Sequence, residues 1–249
     1  ESFDYVINLA AQAGVRYSLA NPGAYIDSNV HGFLNILEAC RNHPVKHLLF
    51  ASSSSVYGLN KETPFSEDDK TDSPASLYGC TKKMDELMAH AYSHLFGIPC
   101  TGVRLFTVYG PWGRPDMAYF NFTNKIYRGE PIDLFNSGMM SRDFTYVSDA
   151  VNALADLLKI IPDMFSVYNI GNSSPVSLTE FVETLESVIG KKAIINKLPM
   201  QLGDVEKTYA DTKHLEDLGI KFQRTPLKEG LDKFVQWFNS IPSAKTHRT

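Results

Sequence analysis

Neither a long apolar run nor a strong excess of one charge occurs in this sequence. No apolar stretch reaches the roughly eighteen residues that a membrane-spanning helix needs, and no signal peptide is visible at the start. The 24 basic and 28 acidic residues give a formal net charge of −4, which argues against nucleic acid as the main partner. We therefore expect a soluble cytoplasmic protein that acts on neither membranes nor nucleic acids.

Cysteine is also scarce. The three cysteines, Cys40, Cys80 and Cys100, are odd in number and lack the spacing of metal or redox motifs, so reduced thiols are the simplest interpretation. One predicted helix carries acidic and histidine side chains at helical spacing, but no H-E-x-x-H pattern is present. We expect a solvated helix face and no metal site at these four residues: Asp85, Glu86, His90 and His94.

Strand and helix patterns alternate along the first half of the chain. Apolar strand patterns occupy three segments: 3–10, 46–51 and 101–106. Helical patterns that end near proline or glycine occupy two: 25–41 and 78–96. This order predicts a doubly wound parallel α/β sheet with reactive groups at the carboxyl ends of its strands. Further on, the patterns predict a returning strand and three more helices: 166–170, then 119–128, 178–189 and 226–238.

The most informative residues are Tyr78 and Lys82, which follow a run of four serines by about twenty residues. Their four-residue spacing puts a phenol and an ammonium on one face of a helix. A nearby cation favours the phenolate, so the phenol can act as a base well below its reference pKa of about 10. With a serine hydroxyl from a strand end beside it, this pair predicts a site for proton and hydride transfer.

Five segments together carry a family resemblance: AAQAGVRYS at 10–18, SSSSVYG at 52–58, SLY at 76–78, RLFTVYGPWGRPDM at 104–117 and RDFTYV at 142–147. In this order they resemble the extended short-chain dehydrogenase/reductase family, and within it the NAD-dependent nucleotide-sugar 4-epimerases that act on UDP-glucuronate. That family begins with a glycine-rich turn, G-x-x-G-x-x-G, which holds the cofactor pyrophosphate at a helix N-terminus. This sequence has no such turn. We therefore expect a fragment that lacks several dozen upstream residues of a Rossmann-like domain.

The resemblance also implies a division into two domains. Residues 1–108 and 144–171 are expected to form the remaining part of the NAD-binding domain. Residues 109–143 and 172–249 are expected to form a smaller α/β domain that binds the nucleotide sugar. Family members commonly dimerise through two helices, so a homodimer is expected through 25–41 and 78–96.

By the same resemblance, Tyr78 takes the proton from the 4-hydroxyl of the sugar while the C4 hydride passes to NAD. Lys82 is expected to lower the pKa of Tyr78 and to bind the nicotinamide ribose, and Ser53 to donate to the same sugar oxygen. The 4-keto sugar then takes the hydride back on its other face. Tyr78 and Lys82 are also counted among the expected cofactor contacts, together with three residues near the first strand and helix: Ala10, Ala11 and Asn29.

Oxidation of UDP-glucuronate at C4 makes a β-keto acid that loses carbon dioxide easily. An epimerase must therefore hold the carboxylate in a non-reactive orientation, a task that suits hydroxyl donors and a bidentate arginine. The candidates for this role are Ser54, Ser55, Thr107 and Arg114. The resemblance further implies that Arg142 contacts the UDP pyrophosphate and Asp204 the ribose on the UDP side.

Three other functions stay open. They are a neutral UDP-sugar 4-epimerase, a UDP-glucuronate decarboxylase or sugar-nucleotide dehydratase, and a cofactor-deficient module that only binds or dimerises. The related decarboxylases carry an acid in place of Ser55, and the dehydratases carry an Asp-Glu pair where Ser54 and Ser55 stand. Two serines at these positions favour epimerisation over elimination.

Overall fold

The computed structural model of the chain describes residues 3–200 and 205–241. Its strands are β1 (Tyr5–Asn8), β2 (His47–Ser53), β3 (Cys100–Leu105), β4 (Thr107–Tyr109), β5 (Pro131–Phe135), β6 (Ser141–Tyr146), β7 (Phe165–Ile170), β8 (Pro175–Ser177) and β9 (Ile194–Leu198). Its α-helices are α1 (Val15–Ala20), α2 (Pro22–Tyr25), α3 (Gly32–Asn42), α4 (Leu77–Phe96), α5 (Ala118–Arg128), α6 (Val147–Leu157), α7 (Leu178–Ile189), α8 (Lys213–Asp217) and α9 (Leu227–Ser240).

The central element is a four-stranded parallel sheet in the order β1-β2-β3-β7. Each strand is followed by helical segments that cross back over the sheet, as the alternating sequence pattern predicted. The predicted parallel α/β fold is therefore confirmed, and the returning strand lies beside β3. A π-helical turn, Ile26–His31, joins α2 to α3, so the helix predicted at 25–41 is nearly continuous.

Both faces of β2 and β3 are buried, and neighbouring residues of each strand point to opposite sides. On one face, Leu48 and Phe50 pack with α3 and α4 in a core that includes Phe33, Leu37 and Ala89. On the other face, Leu49 and Val103 pack with apolar residues of α6 and α8: Ala150, Ala153, Leu154, Leu157 and Leu215. Helix α6 was not predicted from the sequence.

A third core is rich in aromatic side chains and lies between α5, α7 and α9. Tyr119, Phe181 and Phe234 are among its buried members, and Phe234 packs edge-on against Tyr119 at 4.9 Å between ring centroids. Strands β4, β6 and β8 form a small sheet against this core, and β5 pairs with β9. The predicted helices at 119–128, 178–189 and 226–238 are all present, whereas the predicted domain boundaries stay a prediction.

The register of the central sheet places several predicted site residues side by side. Ser53, the last residue of β2, pairs with Leu105, the last residue of β3, so Thr107 follows the neighbouring strand end. Helix α4 starts near the same edge and brings Tyr78 in its first turn. Across the described ranges, no helix is both long and apolar enough to cross a membrane.

Candidate active site

A cavity of about 680 Å³ opens at the carboxyl ends of β2 and β3. Its wall includes residues after β1, the serine run, the start of α4 and the loop at 110–114, together with residues of β4, β6 and α6. Most of the predicted site residues line it: Ala11, Ser53, Ser54, Ser55, Tyr78, Lys82, Thr107, Arg114 and Arg142. The fold therefore gathers into one cavity residues that are up to 131 positions apart in sequence.

The start of α4 is fixed tightly against the serine run. Ser76 caps the helix, its hydroxyl accepting a hydrogen bond from the Gly79 N–H at 3.1 Å. A Cβ at Gly79 would lie 2.5 Å from the Ser55 carbonyl oxygen, which is closer than real Cβ atoms come. Only glycine therefore lets the first turn of the helix approach the serines so closely. The two side chains predicted to share the substrate oxygen, Tyr78 and Ser53, both line the cavity and lie close enough for Ser53 to lower the pKa of Tyr78.

Burial and several neighbouring groups set the electrostatics around the Tyr78 phenol. Burial raises the pKa of Tyr78, and the hydrogen bond with Ser53 and the positive charge of Arg114 oppose this rise without cancelling it. The negative charge of Asp85 raises the pKa further. Lys82 is not among these groups, so its predicted effect on the pKa of Tyr78 stays a prediction.

Lys82 is engaged by two oxygen atoms. Its Nζ donates to the Ala51 carbonyl at 2.9 Å and to Asp85 Oδ2 at 3.1 Å. Both partners of this ion pair are buried, with side-chain exposures of 4% for Lys82 and 2% for Asp85. Lys82 also lines the cavity in which a ligand would lie.

Two of the predicted cofactor contacts lie away from the cavity wall. Ala10 is exposed and does not line the cavity. Asn29 is buried, and its amide accepts from the Gln12 N–H at 2.7 Å and donates to the Gln12 carbonyl and to Thr81 Oγ1, each at 3.0 Å. Asn29 therefore ties the segment after β1 to α4 and acts in this structure as a structural bridge.

The two predicted substrate arginines lie in different surroundings. Arg114 is 43% exposed and its Nη2 lies 3.2 Å from Asp116 Oδ2. The Arg142 Nη1 donates to the carbonyl oxygens of Ser141 at 3.0 Å and Glu206 at 3.3 Å, which orients it from the edge of β6. Asp204, the expected ribose contact, lies outside the described residues.

The charge of the cavity wall is one-sided. Three cationic side chains line it, Lys82, Arg114 and Arg142, and no aspartate or glutamate of the described residues does. Serine, threonine and tyrosine side chains supply further polar groups. Such a wall suits a ligand that carries several negative charges.

A buried ion pair behind the cavity was not predicted from the sequence. The Glu86 carboxylate on α4 accepts from Arg104 Nε at 2.8 Å and Nη2 at 2.9 Å, a bidentate pair, and from Ser52 Oγ at 2.6 Å. Arg104 Nη1 also donates to Tyr57 Oη at 3.0 Å. The prediction of a solvated helix face is wrong for Asp85 and Glu86, which are 1% and 3% exposed, because both side chains have buried cationic partners.

The sequence over residues 1–171 matches the NAD dependent epimerase/dehydratase family, and the chain belongs to that family. Protein CapI of Staphylococcus aureus is 52% identical over 256 residues, covering 96% of this chain and 76% of that protein. The probable UDP-glucuronate 4-epimerase of Rhizobium meliloti (strain 1021) is 47% identical over 254 residues, covering 95% of this chain and 74% of the relative.

A solved structure has the same fold over most of its length. The UDP-glucuronic acid 4-epimerase from Bacillus cereus, in complex with UDP-glucuronic acid and NAD, superposes with a TM-score of 0.90 at 33% identity. The match covers 95% of this chain and 75% of that one. The predicted family, the Rossmann-like fold and the class of NAD-dependent nucleotide-sugar epimerases are therefore confirmed.

The residues present fit the nicotinamide end of NAD. Small apolar residues after β1, including Leu9, Ala11 and Ala13, line the cavity and leave room for a flat ring. Lys82 adds a buried ammonium donor to the same cavity, suited to ribose hydroxyl groups. The chain contains no glycine-rich turn for the pyrophosphate, so the fit concerns the reactive end of the cofactor.

Proposed function

We propose that this chain catalyses the NAD-dependent 4-epimerisation of UDP-glucuronate to UDP-galacturonate. The observation that carries the proposal is the cavity wall, which brings Tyr78 and Ser53 together with three cationic side chains and no carboxylate of the described residues. A UDP-linked sugar acid brings negative charges at its diphosphate and at its carboxylate. The named functions and bound ligands of the relatives support the same substrate.

In the proposed mechanism, the Tyr78 phenolate takes the proton of the sugar 4-hydroxyl. NAD, when bound, supplies a reversible two-electron acceptor for C4. The Ser53 hydroxyl donates to the same sugar oxygen and stabilises the charge that develops there. Arg114 and Ser53 are the groups that favour the phenolate, against burial and Asp85. Tyr78 returns the proton to the 4-oxygen as C4 regains its hydride on the opposite face, so the configuration at C4 is inverted with no net oxidation.

The carboxylate of the substrate is assigned to the hydroxyl groups and the exposed arginine at one end of the cavity. Ser54, Ser55 and Thr107 line the wall, and Arg114 stands in the neighbouring loop. An arginine fork fixes the plane of a carboxylate, which keeps it from the orientation that releases carbon dioxide. Because no acid of the described residues lines the cavity, removal of the C5 proton lacks an agent, which disfavours dehydration.

The remaining assignments concern the nucleotide and the assembly. Arg142 lines the cavity and is proposed to contact the UDP pyrophosphate, and Asp204 to contact the adjacent ribose. A homodimer is proposed through the two predicted helices, and the exposed Leu87, Leu95 and Phe96 on α4 support an apolar contact there. We also propose the division into two domains at residues 108, 143 and 171. Its support is the third, aromatic core, which is separate from the cores on the two faces of the central sheet.

The test is proton NMR of UDP-glucuronate, and separately of UDP-glucose, incubated with the chain and excess NAD. We expect UDP-galacturonate to form. Arg114→Ala should reduce turnover of UDP-glucuronate at least about tenfold more than turnover of UDP-glucose, since only the sugar acid offers a carboxylate for a charge-assisted bidentate contact worth about 1.5–3 kcal/mol.

Arg128→Ala is the matched control, because Arg128 pairs with Glu130 outside the cavity lining. Conversion of UDP-glucose alone, or release of carbon dioxide, would contradict the proposed substrate. Conversion of neither sugar would contradict the proposed activity of this chain.

A further inference from the structure

Asp85 is a buried carboxylate that the proposed reaction does not use. It lies one turn after Lys82 and two turns after Tyr78 on α4, so the three side chains follow one face of the helix. Its Oδ2 accepts from Lys82 Nζ at 3.1 Å. Its Oδ1 is buried and has no hydrogen-bond partner within residues 3–200 and 205–241.

The single hydrogen bond to Lys82 does not fully offset the free energy of burying the Asp85 carboxylate. Burial raises the pKa of Asp85 from 3.8 to about 6, although the Lys82 ammonium lowers it. Buried ion pairs are often no more stabilising than apolar replacements, so stability alone gives little reason for an aspartate here. Perturbed carboxyl groups of this kind cluster at functional sites.

The other charged groups near Asp85 are already engaged. Glu86 on the same helix is bound by Arg104 of β3 and raises the pKa of Asp85 slightly. From β2, the neighbouring group is the Ala51 carbonyl, which also binds Lys82. On α3, Glu38 binds Tyr92, two turns further along α4. Lys82 is therefore the one cation bonded directly to Asp85 among the described residues.

We propose that Asp85 is a positioning residue that holds the Lys82 ammonium and sets the electrostatic environment of the Tyr78 phenol. This inference rests on the proposed roles of Tyr78 and Lys82. Asp85 anchors Lys82 through Oδ2, and it offsets the ammonium charge that would otherwise favour the phenolate. The carboxylate thus keeps the proton on Tyr78 up to a higher pH than an uncharged residue would.

Two measurements test this role. The first is the pH profile of kcat for UDP-glucuronate. In Asp85→Asn the acidic limb of this profile should move to lower pH by about one unit. A negative charge about 10 Å from the phenol raises the pKa of the phenol by about that amount at an effective dielectric constant of about 20, and the variant removes this charge. Asp156→Asn is the matched control, since Asp156 forms an exposed pair with Lys159 at the same three-residue spacing. An unmoved limb in Asp85→Asn would overturn the proposal.

The second measurement needs no turnover. Carbon-13 NMR follows the titration of the Asp85 carboxyl carbon, assigned as the resonance that Asp85→Asn removes. In Lys82→Met the midpoint should rise by at least about one pH unit, because an adjacent cation shifts a carboxyl pKa by about 1–3 units. An Asp85 titration midpoint that does not change in Lys82→Met would overturn the proposal. This result can be obtained even if the chain converts neither sugar, so failure of the proposal can be distinguished from failure of the proposed function.

Discussion

The Glu86–Arg104 pair makes a sharp prediction about stability. Glu86→Gln keeps the shape of the side chain but replaces one acceptor oxygen with an N–H donor that faces the Arg104 guanidinium. Arg104 is 3% exposed, so its charge would stay buried without a compensating carboxylate. Removing one partner of such a pair costs about 3–5 kcal/mol in the free energy of unfolding.

For a chain of this length, that loss lowers the Tm by about 6–20 °C, at about 2–4 °C for each kcal/mol. The assay is thermal and urea unfolding at pH 7, followed by circular dichroism. The matched control is the neighbouring residue, Asp85→Asn. The pKa of Glu86 is lowered although burial opposes this, because Arg104 and Ser52 stabilise the carboxylate, whereas the pKa of Asp85 is raised to about 6.

Neutralising Asp85 should therefore cost less than about 1 kcal/mol at pH 7, since burial already disfavours its charge. The reasoning is refuted if Glu86→Gln loses less than about 1 kcal/mol, the value of an ordinary hydrogen bond. It is equally refuted if both variants lose the same amount, because the two carboxylates would then have equivalent surroundings.

Three further predictions concern the same helix. Tyr78→Phe should lower kcat at least about a hundredfold with an unchanged Tm, since general base catalysis contributes about 10²–10⁴; a smaller loss would contradict the base assignment. Gly79→Ala should lower both kcat and Tm, because its Cβ would lie 2.5 Å from the Ser55 carbonyl oxygen, and an active, stable variant would contradict the close approach. Because burial raises the pKa of Asp85 to about 6, this carboxyl group binds more protons in the folded than in the unfolded chain between about pH 4 and 6, and its contribution to stability falls by up to about 3 kcal/mol as the pH rises through that window. Urea unfolding should therefore show a different dependence of stability on pH in the original chain and in Asp85→Asn, with the steeper fall in the original chain, and equal slopes would contradict the raised pKa.

The sequence predicted those parts of the fold whose signals are local. The helix at 178–189 has the bounds that the structure gives it, since Ser177 caps one end and Gly190 ends the other in a left-handed conformation. By contrast, the pairing of β5 with β9 joins residues more than sixty positions apart, and β9 is mostly exposed. The sequence of either segment alone does not indicate which strand it pairs with.

The site divides in the same way. The spacing of Tyr78 and Lys82 on one helix could be predicted from the sequence, and the register of the sheet brought Ser53 beside Tyr78 as expected. The partners of Lys82 could not be predicted, because a three-residue spacing to Asp85 is equally typical of a solvated ion pair. Only burial distinguishes the two, and burial depends on strands that lie far away in the sequence.

In the proposed mechanism, helix α4 therefore has two roles: it presents residues to the active site, and it binds the strands of the central sheet. Lys82, which lines the cavity, pairs with the buried Asp85, and this pairing does not fully offset the free energy of burying the carboxylate. The negative charge of Asp85 also raises the pKa of the neighbouring Tyr78 phenol. Glu86, one residue on, binds Ser52 and Arg104 and so ties the helix to the ends of β2 and β3. Because these contacts of Glu86 hold the helix against the two strands, we expect them to keep Tyr78 close to Ser53. Within the described residues Asp85 makes no such contact with the strands, so we expect that its charge can be altered without moving the helix.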